Sequence, residues 1–184
     1  MTILGIRVLG DAALRRETEP VAEVNDDIRL LIADMFDTMY AAEGIGLAAP
    51  QVGRSERVAV MDVEGAKHAL INPDIIERQG GIRGEEGCLS IPDIFGEVER
   101  SARVVVRALN ENGEQVQVEG TELLARCMQH EIDHLDGKLF IDYLSVLKRR
   151  SALSKWEGIK EGYPGFVRLV ALEKRGVHHS EGEL

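Results

Sequence analysis

The chain has 184 residues, 44% of them hydrophobic and 29% charged, with 19 glycines and 5 prolines. That length suits one compact domain with its own core and excludes two large ones, so residues 1–184 read as a single domain ending in a helix and tail from about 146. A formal charge of −10 excludes a general nucleic-acid binder and leaves no DNA partner. No apolar run reaches the roughly 20 residues of a membrane helix, and two cysteines make no disulfide framework at this size. The opening MTILGIRVLGDAALRR has no basic region followed by an apolar stretch, so no secretory leader is read there. The expected compartment is the cytoplasm.

In chain order, Asn25 is placed to cap a helix whose apolar positions Ile28, Leu31, Ile32, Met35 and Met39 recur at helical spacing, with Gly44 as its stop. GIGLAAPQVG (44–53), rich in glycine and broken by Pro50, reads as a loop or short extended piece. Residues 57–63 and 68–72 look like strands joined by a turn at Gly65. GGIRGEEGCLSIP (80–92) reads as irregular. Residues 103–109 and 114–120 flank ENG and form a hairpin. TELLARCMQHEIDHLDG (121–137) is a largely buried helix with a capping residue in front and glycine behind. A last helix runs from about Val146 to Lys160, followed by a break at Pro164-Gly165 and a mobile tail, HHSEGEL. Strands and helices mix without regular alternation. That points to an α+β fold: small antiparallel or mixed sheets packed around a central helix, with further helices near the N- and C-terminal ends.

Charge is uneven. Residues 147–184 carry eight Lys/Arg against five Asp/Glu, while the rest carries 14 against 27. The plainer reading of the basic end is a solvated helix face; the sharper one is contact with an anionic surface such as ribosomal RNA.

The central helix carries His130-Glu131-Ile132-Asp133-His134, an HExxH. Residues four apart on a helix lie above one another, so both imidazoles can reach one cation. Glu131 beside them can address a water on that cation, whose pKa falls towards about 7. Such sites usually take three protein ligands and keep one position open. His178 and His179 are in the polar tail, and His68 is isolated in a strand. Beside these histidines, the alternative third ligand is a cysteine. Cys88 sits in a glycine-bearing loop. Cys127 is on the helix three residues before His130, where its neighbours Leu124 and Met128 suit a core thiol better. A thiolate with two imidazoles suits Zn, Fe, Co or Ni and disfavours Mg or Ca.

Three segments in order, GIGLAAPQVG (44–53), EGCLS (86–90) and QHEIDH (129–134), resemble the three signature motifs of peptide deformylases, and LFIDYLS (139–145) extends the likeness. The resemblance implies a metallohydrolase that removes the formyl group from the N-terminal formyl-methionine of new polypeptides. It implies Cys88, His130 and His134 as ligands of one divalent ion, Fe(II) in the cell, with Zn, Ni or Co as alternatives on isolation. It implies Glu131 as base and then acid, and Gln51 with the backbone N–H of Leu89 as donors to the developing oxyanion. Gly46, Ile45 and Cys127 would shape the substrate pocket together with Leu89. Glu86 or Asp133 could orient a ligand histidine; alternatively Asp133, which helix geometry points away from His130, is solvated or structural, and Glu86 instead pairs with Arg100. Phe95 and Arg126 depart from the family pattern, and neither is expected to touch the motifs. The competing readings are an HExxH metallopeptidase and a catalytically inert, metal-stabilised module associated with the ribosome.

Overall fold

The computed structural model describes residues 2–170. In chain order the elements are β1 (Ile6–Arg7), α1 (Asp26–Ala41), β2 (Gly46–Ala48), β3 (Val58–Val63), β4 (Ala66–Gln79), β5 (Ile82–Cys88), β6 (Ile91–Arg100), β7 (Arg103–Leu109), β8 (Gln115–Thr121), α2 (Glu122–Leu135), α3 (Val146–Ile159) and β9 (Val167–Arg168). β2-β3-β4-β7-β8 form one five-stranded antiparallel sheet, β5 and β6 a separate hairpin, and β1 and β9 a small pair. The α+β class therefore holds. The tail from 171, with His178 and His179, lies outside the described residues.

β3 organises the layers. A strand sends alternate side chains to opposite faces, and VAVMDV is apolar on both. Val58 and Val60 join one cluster with Ile28, Leu31, Ile32 and Met35 of α1. Met61 and Val63 join a second with Ala125, Met128 and Ile132 of α2. The two helices thus cover opposite faces of the same strand. The turn into β4 uses Glu64 and Gly65, both at positive φ (54° and 84°), the pair of conformations a two-residue hairpin turn requires. α1 begins as its sequence demands, with the Asn25 side chain accepting a hydrogen bond from Ile28 N at 3.0 Å. Thr121 precedes α2 but makes no side-chain cap, so packing against the sheet holds that helix's start. A third cluster joins Ile91, Ile94 and Val98 of β6 to Leu139, Phe140, Ile141 and Trp156.

One segment differs from expectation. Residues 80–92 are not irregular: they contain β5 and the start of β6. Their glycines look like loop punctuation but answer to close approach. A Cβ at Gly84 would stand 2.9 Å from the Arg126 guanidinium, and one at Gly87 would stand 2.7 Å from the Phe95 ring. β4 also runs on to Gln79, well past residue 72, because β7 offers it a partner through two register shifts.

Candidate metal centre and active site

The end of β5 meets the middle of α2. Register in the hairpin breaks after Glu86, which pairs with Gly96, so that Cys88 pairs with Ile91. Such an irregularity re-aims a side chain, and Cys88 Sγ lies 3.2 Å from His134 Nε2. One donor atom each from Cys88, His130 and His134 falls within 4.8 Å of the others, the only such group of three His, Cys or carboxylate residues among the described residues. Two buried side-chain polar atoms lack a hydrogen-bond partner among those residues, Glu131 Oε2 and His134 Nδ1, and both are here. A buried polar atom without a partner is costly. A soft cysteine sulfur, two imidazoles and an unmet carboxylate oxygen fit a divalent transition metal with its water.

Glu86 orients the first histidine. Its carboxylate is buried at 3% exposure. Burial favours the neutral acid, but hydrogen bonds from His130 and Arg100 outweigh that and hold its pKa well below the usual carboxylate range. It is therefore an acceptor only, so His130 Nδ1–H donates to Oε2 at 2.9 Å and leaves Nε2 for a cation. Burial opposes a proton on His130 too, yet the contacts with Cys88 and Glu86 raise its pKa well above the ordinary value. A proton and a metal compete for the same donor. His134 is held neutral: burial, then His130 and Arg100, lowers its pKa far below the ordinary value. Asp133 turns away from the site, accepting from Arg100 Nη1 at 2.6 Å and from Tyr143 Oη at 2.9 Å.

Glu131 is buried beside the histidines, and its pKa is pushed up to about 7. Burial is the main cause; His130 pulls it down, while Glu86 and Asp133 push it up. A cation alongside would draw that value back down. Gly46 gives the carboxylate its room: a Cβ there would lie 2.3 Å from Glu131 Oε1 and 2.9 Å from Cys127 Sγ.

Gln51 is fully buried and fixed at both ends of its amide. Oε1 accepts from Ala48 N at 2.8 Å, so Nε2 must face the site, where it donates to Ser90 Oγ at 3.1 Å and lies 3.6 Å from Cys88 Sγ. Leu89 and Ser90 form the two-residue tip of the hairpin. Ile45, Gly46, Leu89 and Cys127 line a cleft of about 530 Å³ that also reaches Gln51 and Glu131. Cys127 is not in the donor group. Burial, with Glu131 and Glu86 nearby, raises its thiol pKa strongly, and its Sγ donates to Ile45 O at 3.6 Å.

The expectation that Phe95 and Arg126 stay clear of the motifs is wrong. Arg126 Nη1 donates to Glu86 Oε1 at 2.8 Å, and the Phe95 ring packs over Gly87. The pairings lie 40 and 8 residues apart in sequence, and no short-range pattern announces them. Reading by residue type also missed Gln129. Its Oε1 accepts from Ser101 N (3.0 Å) and Arg78 Nη1 (3.2 Å), while Nε2 donates to Ser101 O (2.9 Å) and Ala125 O (2.9 Å). Its signal was its place at the head of QHEIDH, between Met128 and the first histidine of the motif.

Comparison with known proteins adds an independent line. Residues 3–150 match the polypeptide deformylase family. A peptide deformylase of Alkalilimnicola ehrlichii is 55% identical over 161 residues, covering 85% of this chain and 90% of the relative. The crystal structure of a peptide deformylase from Legionella pneumophila superposes with a TM-score of 0.84 at 45% identity, covering 87% of this chain and 96% of that one. The one from Synechococcus elongatus, solved in complex with actinonin, gives 0.79 at 44%, covering 83% and 85%. With a match running from the first strand into the last helix, and the thiolate and both histidines of its motifs gathered at one point, the chain belongs to the polypeptide deformylase family.

Proposed function

We propose that Cys88, His130 and His134 hold one divalent ion, and that Glu131 moves the protons, in a cleft built for the N-terminus of a nascent chain. The protein is a peptide deformylase: it hydrolyses the formyl amide of an N-terminal formyl-methionine and releases formate. The observation that carries the site assignment is the meeting of the three donor atoms with the unpartnered Glu131 carboxylate.

When bound, the ion supplies a Lewis acid that polarises the formyl oxygen and acidifies a water. Glu131 would take a proton from the attacking water as the water's oxygen bonds to the formyl carbon. The carboxylate then returns the proton to the methionine nitrogen as the C–N bond breaks, leaving formate and a free amine. Gln51 Nε2 and the Leu89 backbone N–H are donors to the oxygen that gains charge. Gln51 costs little reorganisation, because Ala48 N already fixes its amide. Ile45, Gly46 and Cys127 form the wall for the methionine side chain, an apolar surface for an apolar group. Fe(II) is the ion we assign in the cell, with Zn, Ni or Co possible in isolated protein. A thiolate-held Fe(II) makes the activity sensitive to oxygen.

Nascent chains place the reaction in the cytoplasm; no helix among the described residues is long and apolar enough to cross a membrane. The start of α3 supports a ribosome contact: Val146 and Leu147 are exposed beside Lys148, Arg149 and Arg150. Deleting everything from Leu147 would also remove Tyr163 and Arg168, which line the cleft. Leu147→Asp with Arg150→Glu is the cleaner test. It should weaken co-sedimentation with ribosomes and spare turnover of short peptides; equal loss of both would sink the contact.

The deciding experiment is anaerobic turnover of formyl-Met-Ala-Ser by Fe(II)- or Ni(II)-loaded protein, alongside Glu131→Ala. Formate from the parent, and its near-complete loss in a variant that still binds metal, is the expected result. No formate from correctly metallated parent would overturn the reading. Actinonin is expected to compete with the substrate.

A further inference from the structure

Arg126 stands one turn before His130 on α2, and its side chain is only 12% exposed. Besides donating to Glu86, Nη1 donates to Val98 O at 3.0 Å and lies 3.4 Å from Gly84 O. Nη2 donates to Ile82 O at 3.0 Å. One guanidinium therefore grips both strands of the β5–β6 hairpin from the helix that bears both histidines. The planar fork of arginine can do this; the single ammonium of lysine cannot.

Charge gives the second argument. Arg100 is shared between Glu86 and Asp133, donating to Glu86 through Nε (2.8 Å) and Nη2 (3.0 Å) and to Asp133 through Nη1 (2.6 Å). Those three groups alone leave one buried negative charge in excess, which is costly. Arg126 neutralises it. With Arg126, Arg100 and His130 in place, each oxygen of Glu86 accepts two hydrogen bonds, and its carboxylate has no freedom to turn away from His130.

We infer that Arg126 is a positioning residue for the metal ligands: it clamps the hairpin that carries Cys88 to the helix that carries His130 and His134, and locks Glu86 onto His130. The inference rests on the metal-site reading above. It concerns how the ligands are held, and Arg126 itself touches no reacting atom.

The test is the rate at which the Co(II)-loaded protein gives up its metal to a chelator, with the cobalt–thiolate absorption as a second readout. Arg126→Met should release cobalt about tenfold faster, the scale on which partners of metal ligands act, and shift the absorption bands. Arg126→Lys keeps the charge without the fork and should also release faster, though less so. Glu86→Gln closes a double-mutant cycle, in which the clamp predicts strongly non-additive effects. Arg103→Met, which removes an arginine paired with Glu77 and Glu119 on the outer sheet face, controls for the loss of any ion pair and should leave release unchanged. Should Arg126→Met fail to fold, the lysine variant and the cycle built on it carry the test. Unchanged or slower release in a folded variant would overturn the inference, since surplus negative charge alone holds a cation tighter. None of this uses substrate, so absent formate would topple the deformylase reading and leave the clamp to be judged separately.

Discussion

α2 and α3 are both 14 residues long, and the fold treats them differently. α2 buries eight residues, four of them polar or ionisable: Cys127, Gln129, Glu131 and His134. α3 buries only Ala152 and Trp156, and leaves Val146 and Leu147 at 84% and 80% exposure. Even the ion pairs differ. Those on α2 run to Glu86 and Arg100, which are nearly inaccessible; those on α3, Lys148 to Glu97, Arg149 to Asp142 and Glu157 to Lys160, are open to water and are worth little each. Side chains that serve a site must be held to within fractions of an ångström, and the buried face of α2 with its inaccessible partners supplies that support. A helix attached by one aromatic anchor can serve as an appendage.

The largest effect should come from crowding α2 at its tightest point. Gly46→Ala puts a methyl group where the Glu131 carboxylate now sits. Displacing a reacting group by about 1 Å costs on the order of a hundredfold in rate, so kcat/KM for formyl-Met-Ala-Ser should fall at least that far with metal content unchanged. Retained activity would mean that Glu131 has slack and that α2 is less constrained than its contacts imply. Next is Gln129→Ala, which orphans Ser101 N and O and frees Arg78. Leaving half-buried backbone groups unpaired costs about 1–3 kcal/mol, read by chemical denaturation. A loss under about 0.5 kcal/mol, the usual range of surface changes, would show that the apolar face alone holds the helix.

These two residues also mark how far the sequence could be read. α1, α2 and the β7–β8 hairpin were legible because period and capping are local signals. The donor set was legible in part: helix geometry brings the two imidazoles of HExxH together and loop context favours Cys88 over Cys127, and the fold sets one donor atom each of Cys88, His130 and His134 within 4.8 Å of the others. The β5–β6 hairpin was illegible because its glycines are spaced by what packs on them: Phe95 from across the hairpin at Gly87, and Arg126 from the distant helix α2 at Gly84. Gln129 and Arg126 hid for the same reason. A polar residue in an amphipathic helix reads as solvated until the strand that satisfies it is in place.

A smaller effect belongs to α3. Trp156 stacks on Tyr163 at 5.7 Å and is the helix's main anchor. Truncating a buried aromatic in a core costs roughly 3–5 kcal/mol, but a lightly held helix opens before the domain does, which caps the global loss at about 1–2 kcal/mol. Trp156→Ala should therefore bring α3 amides to fast hydrogen exchange while α2 amides stay protected. Equal loss of protection in both helices would make α3 part of the core.

The subtlest difference lies at the joint between the two helices. Asp142 accepts from Leu139 N at 2.9 Å, from Arg15 at 2.5 Å, and lies 3.1 Å from Arg149 of α3. Burial disfavours its charge, yet the Arg15 and Leu139 hydrogen bonds and the neighbouring arginines outweigh it and hold its pKa below the usual 3.8. A carboxylate whose pKa is lower folded than unfolded adds stability above its unfolded value and loses it as pH falls through the folded one. The gap in unfolding free energy between the parent and Asp142→Asn should thus be full at pH 7 and shrink below pH about 4, the more so at low salt, where exposed pairs are least screened. A gap that stayed constant down to pH 2 would mean that Asp142 acts through shape and neutral hydrogen bonding, and α3 would then be docked by packing with no electrostatic share.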